Sequence, residues 1–108
     1  MRIMKERGKL RVTGWKSGRE GGVFGLRVGR QNAKQFFDKK WRFVELDFDN
    51  RRVQINVTRG FWAGCPELRD PFVKVFLERN KLVPWPKGRP PRIELTPRGG
   101  NRFSVSLE

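Results

Sequence analysis

Trp41-Arg-Phe-Val-Glu-Leu-Asp-Phe-Asp-Asn-Arg-Arg-Val-Gln-Ile-Asn-Val-Thr58 carries the clearest period-2 pattern in the chain. On its first arm Val44, Leu46 and Phe48 share one face, and Phe43, Glu45, Asp47 and Asp49 share the other. On its second arm Val53, Ile55 and Val57 alternate with Arg52, Gln54, Asn56 and Thr58. Successive side chains of a strand point to opposite faces, so both arms read as half-buried antiparallel strands. Asp49-Asn50 between them suits a tight turn, because both residues tolerate left-handed backbone.

Working outward on both sides, Lys9 to Trp15 alternates, with Leu10 and Val12 on one face and Arg11, Thr13 and Trp15 on the other. A glycine-rich polar loop, Lys16 to Gly22, separates it from a second strand with Phe24, Leu26 and Val28 inward. Asn32 is then placed to cap a short helix over Ala33–Lys40, whose apolar patch is Ala33, Phe36 and Phe37. Lys39 and Lys40 would fall at its C-terminal end, where the helix dipole favours cations.

Beyond the hairpin, Gly60 and Gly64 bracket Phe61 and Trp62, which suggests a turn, and Pro66 opens a single turn through Arg69. Asp70 caps a second helix with Pro71 at its first position. Phe72, Val73, Phe76 and Leu77 form the stripe by which that helix packs on a sheet. Leu82 to Pro91 is a stiff proline-rich loop. A last hairpin has Ile93 and Leu95, then Phe103, Val105 and Leu107, inward. The order is ββαββαββ. It predicts an α+β fold of about six short antiparallel strands in a curled sheet or partly open pseudobarrel, with two helices over its open ends.

At 108 residues the chain has the length of one domain, expected over residues 9–108 behind a mobile basic arm at 1–8. Hydrophobic residues make up 36% and charged residues 33%, which is neither a disordered tail nor a membrane protein. No run approaches the ~18 apolar residues of a spanning helix, and the N-terminus lacks a signal-peptide core, so the expectation is a cytoplasmic protein with no membrane partner. A single cysteine, Cys65, excludes an internal disulfide, and the absence of histidine excludes Ser-His triads and most transition-metal sites. No cofactor and no catalysis are expected.

The 25 basic residues outweigh 11 acidic ones, a formal charge of +14 that favours a polyanionic partner. Nucleic acid is the commonest such partner, with DNA ahead of RNA here. Exposed tryptophans beside basic residues can stack on bases while the cations hold phosphates. Three places fit: Trp15 with Lys16 and Arg19, Arg59 with Trp62, and Trp85 with Lys87, Arg89 and Arg92. Trp41 is assigned to the core. The proline-rich loop around Trp85 is the leading contact, since a stiff loop loses little entropy on binding.

Arg27, Arg30, Gln31, Asn32 and Lys34 make a further candidate where a strand feeds a helix, with groups able to meet phosphates and base edges. In topology this strand–turn–helix resembles that of the AbrB-like and B3-type DNA-binding pseudobarrels, a resemblance that implies DNA binding.

Two rival readings follow from the same residues. One is an interaction or regulatory module for an acidic protein partner. The other is a small Mg²⁺-dependent nuclease built on Glu45, Asp47 and Asp49, although pairing of these acids with Arg51 and Arg52 accounts for them at lower cost. An unpaired edge strand also offers a route to a homodimer.

Overall fold

The computed structural model describes residues 8–18 and 22–108, so the expected arm (except Gly8) and the candidate contact Arg19 lie outside the described residues. Its elements run β1 (Leu10–Lys16), β2 (Phe24–Arg27), α1 (Arg30–Phe36), β3 (Phe43–Phe48) and β4 (Arg51–Asn56), then α2 (Arg59–Ala63), β5 (Glu67–Arg69), α3 (Pro71–Arg79), β6 (Arg92–Pro97) and β7 (Arg102–Leu107). The seven strands form one sheet in the order β4-β3-β7-β6-β1-β2-β5. It curls until its two edge strands, β4 and β5, approach each other. This is the partly open pseudobarrel that the alternation predicts.

The barrel interior is filled by the inward residues of those alternations. Val44, Leu46, Phe48, Val53, Ile55, Leu10, Val12, Ile93, Leu95, Phe103 and Val105 are all buried. α3 forms as its capping signals require: the Asp70 carboxylate accepts the Phe72 N–H at 2.9 Å, and Phe72, Val73, Phe76 and Leu77 are buried. Phe48 meets both Phe72 and Phe76, with ring centroids 5.0 and 4.9 Å apart.

Several local expectations are overturned, each by tertiary packing. The segment after Pro66 is a strand rather than a turn, because Glu67–Arg69 pairs with β2 and buries Leu68 completely. Phe61 and Trp62 sit on a helix, α2, capped by the Thr58 hydroxyl accepting from the Phe61 N–H at 3.3 Å. α1 begins after Gly29 (φ 86) and ends at Phe36. Phe37 leaves the helix in extended conformation, with its ring stacked on those of Phe61 and Phe103 at 5.1 and 5.3 Å. Asn32 therefore caps nothing, and Lys39 and Lys40 lie beyond the helix.

The pairing of β3 with β7 is parallel, so the sheet is mixed. The Asp49-Asn50 turn is made without left-handed backbone, which Lys81 (φ 57) alone adopts among described non-glycine residues. Leu107, at the end of β7, is exposed rather than inward.

The strand registers give the barrel two distinct ends. The β2–α1, α1–β3 and β4–α2–β5 connections and the β6–β7 turn lie at one, the α1 end. The β1–β2 loop, the β3–β4 turn, α3 and the α3–β6 loop lie at the other, the α3 end.

Candidate nucleic-acid interface

The outer wall of the barrel is rich in arginine, and three acids there are each shared by two arginines. Asp47 accepts from Arg52 Nε at 2.7 Å, and Arg102 Nε lies 3.4 Å from its other oxygen without the alignment of a hydrogen bond. Glu67 joins Arg27 and Arg69 at 3.2 and 2.9 Å, and Glu108 joins Arg11 and Arg92 at 3.0 and 3.8 Å. The hydrogen bond from Arg52, reinforced by the charges of Arg52, Arg102 and Arg98, holds the Asp47 carboxyl below the usual carboxylate range. Of the candidate contacts, Arg27 and Arg92 belong to this paired wall. Of the expected pairings only that of Asp47 with Arg52 is present; Glu45 and Asp49 form no ion pair with a described residue, and Arg51 lies over the Phe72 ring at 4.9 Å.

At the α3 end the cations are largely spent on aromatic rings of their own chain. Lys16 Nζ lies 5.3 Å from the centroid of Trp85, Lys74 Nζ 5.6 Å from Phe24, and Arg51 and Arg79 flank Phe72. Such placements are worth about 0.5–1 kcal/mol each at exposed sites. Trp85 is half-buried across the barrel mouth, edge-to-face with Phe24 at 6.3 Å. A side chain at Gly14 would begin 3.5 Å from the Trp85 ring and 2.8 Å from Pro91. Lys87 and Arg89 are exposed and make no ion pair among the described residues. The loop therefore presents its basic residues while its tryptophan is engaged in packing.

The α1 end differs. Arg30, Gln31 and Lys34 on α1, Lys39 and Lys40 after it, Arg42, and Arg59 on α2 are all exposed. None of these cations forms an ion pair with a described residue. Lys39 Nζ lies 5.6 Å from the Trp62 ring, which ties the α1–β3 connection to α2. Trp62 is half-buried, and its Nε1 is buried without an acceptor. Asn32 is committed elsewhere, donating to the backbone carbonyls of Arg11 and Val28 at 2.8 and 3.0 Å and so fastening α1 to β1.

The candidate residues thus divide between two ends and a paired wall. Trp15, Trp62 and Trp85 each lie beneath a cation, Arg69, Lys39 and Lys16 respectively. Lys39, Lys40 and Arg42, which stand outside the contacts expected from the sequence, lie at the α1 end, and Trp41 packs against the core as expected. Trp41 is half-buried, as Trp62 and Trp85 are, packed against Phe37 and Phe103 at 5.6 and 6.2 Å, and no cation of the described residues lies over it. Their adjacency in the chain, Lys39-Lys40-Trp41-Arg42, was the available signal.

Between the edges of β4 and β5 runs a groove of about 570 Å³, bordered by Gln54, Asn56, Gly64, Cys65 and Arg69. Among the described residues no three Asp, Glu, His or Cys side chains converge as metal ligands would, and no helix is long and apolar enough to cross a membrane.

No family model, no curated protein and no solved structure matches this chain.

Proposed function

We propose that the chain is a nucleic-acid-binding module that docks its α1 end on a phosphate backbone, DNA ahead of RNA. The observation that carries this reading is the group of cations at the α1 end that neither an acid nor a ring engages. Acids pair with strand arginines of the outer wall and rings lie under Lys16, Arg51, Lys74 and Arg79 at the α3 end, whereas Arg30, Lys34, Lys40, Arg42 and Arg59 at the α1 end are engaged by neither among the described residues, with Asp38 as the acid of the α1–β3 connection. Such a concentration of unpaired charge releases counterions when it meets phosphates. Asp38 is itself engaged, accepting the Lys40 N–H at 2.8 Å, which fixes the turn that presents Lys39 to Arg42.

The module has no chemistry of its own in this reading. Asp47, at the centre of the acidic hairpin face, is held by Arg52 and Arg102 and serves as their counter-charge.

Affinity for an oligonucleotide, titrated at several salt concentrations, tests the proposal. Lys40→Ala with Arg42→Ala is expected to lower the salt slope by about 0.7–0.9 per lost phosphate contact. Lys87→Ala with Arg89→Ala is expected to leave it nearly unchanged. The reverse result would move the contact to the Trp85 loop. Equal competition by heparin and by an unrelated acidic protein would favour an acidic protein partner instead.

A further inference from the structure

We infer that the groove beside Trp41 is a pocket for one unstacked base, and that the module consequently prefers single-stranded nucleic acid. This rests on the proposal that the α1 end binds nucleic acid. The groove, open on one side, has a volume of about 390 Å³ and is lined by Gln35, Phe36, Trp41, Pro97, Gly99, Gly100 and Phe103. That volume lies within the range of about 300–1,000 Å³ typical of small-ligand sites.

Three observations identify the occupant. The first is the state of the tryptophans. Trp15, Trp62 and Trp85 carry a cation of their own chain, but Trp41, whose ring lines the groove, carries none among the described residues, so no such cation competes with a base for it. Its tilt is fixed from behind by Phe37 and Phe103, so stacking on it requires little ordering. The second is the rim. Gly99 (φ 102) and Gly100 (φ 55) make the β6–β7 turn, and a Cβ at either would meet nothing within 4 Å. The opposite side offers the exposed Gln35 amide, which carries both a donor and an acceptor for a base edge.

The third observation is charge: Lys34, Lys40 and Arg42, all exposed, neighbour the lining residues Gln35 and Trp41 in the chain, so cations stand near a groove with aromatic walls. An apolar ligand alone would not need them, and a free phosphate would not use the aromatic walls. A base on its sugar-phosphate backbone uses both. In a duplex the base faces are already stacked, so entry requires unpairing, which favours the single strand.

Four measurements on the full chain test this. Binding of fluorescently labelled oligothymidylate is compared with its matched duplex, with the same strand bearing abasic sites, and with the Gln35→Leu and Trp41→Leu variants. Expected are tighter binding of the single strand than of the duplex, and a loss of about 5- to 100-fold on the abasic strand and on Trp41→Leu. Gln35→Leu, at an exposed position that leaves the fold intact, should weaken the parent strand and leave the abasic strand unaffected. Equal affinity for parent and abasic strands overturns the base pocket while leaving phosphate binding at the α1 end in place. Absence of binding to every strand overturns both.

Discussion

The Arg69 guanidinium carbon lies 4.7 Å from the centroid of the Trp15 ring, across the intervening strand β2. The registers put Trp15, Gly25 and Arg69 in one row, and the glycine leaves the space between the other two side chains empty. A Cβ at Gly25 would sit 2.5 Å from the Leu68 carbonyl oxygen and 3.2 Å from the Arg69 Cα. Gly25→Ala should therefore force β5 away from β2 and destabilise the domain by roughly 1–3 kcal/mol. Gly18→Ala, where nothing lies within 4 Å, is the control. Similar melting temperatures for the two variants would mean that β5 is not held in this register.

Phe76 is the centre of the α3 stripe, 6% exposed and 4.9 Å from Phe48. Phe76→Ala should cost about 3–5 kcal/mol, a loss that includes the cavity left between α3 and the sheet. Thermal or denaturant unfolding reads this directly, and a shift under 1 kcal/mol would contradict the packing of α3.

Trp85→Ala is expected to lower the melting temperature and leave oligonucleotide affinity per folded molecule unchanged. The ring packs on Phe24 beneath Lys16, so its loss uncovers the barrel mouth at a cost of about 2–4 kcal/mol. An affinity loss in a variant that melts normally would return the α3–β6 loop to the interface.

Acid should weaken the domain partly through Asp47. Its carboxyl titrates below the ordinary value because Arg52 hydrogen-bonds the charged form, with Arg52, Arg102 and Arg98 adding their charges. A depressed folded value means that the stabilisation is present above the unfolded pKa of about 3.9 and is lost as pH falls through the folded value. Asp47→Asn should accordingly be less stable than the parent at neutral pH and converge with it in strong acid. Its oligonucleotide affinity should be unchanged or higher, since Arg52 and Arg102 lose their counter-charge. A cleavage activity lost in Asp47→Asn with Asp49→Asn, with folding preserved, would contradict the assignment of Asp47 as a charge partner and of Asp49 as surface charge.

Lys81→Gly should stabilise the domain by about 0.5–1 kcal/mol. Lys81 ends α3 in left-handed conformation (φ 57), its N–H bonded to the Glu78 carbonyl at 3.0 Å and the Leu82 N–H to that of Leu77 at 2.9 Å. This is the position where glycine avoids the Cβ clash. Chemical denaturation of the two proteins side by side checks it.

Local signals determined what local physics controls. The alternation from Phe43 to Asn56 specified β3, β4 and their inward faces, because a one-residue slip would turn Val44, Leu46, Val53 and Ile55 out to water. Asp70-Pro71 and the stripe to Leu77 specified α3 through capping and periodicity, both of which act within a few residues. The excess of 25 basic over 11 acidic residues is likewise a property of composition alone.

Tertiary structure decided everything that depends on distant partners. Glu67–Arg69 has no readable period in three residues and becomes a strand only because β2 lies beside it. Phe37 turns extended at the end of its helix, where its ring stacks on those of Phe61 and Phe103. Which cations stand unpaired was equally beyond the sequence, since Glu67 reaches Arg27 across 40 positions of chain. Burial of a ring and pairing of a charge are pairwise properties of segments joined late, and so Trp41, rather than Trp85, is the tryptophan left without a cation over its ring.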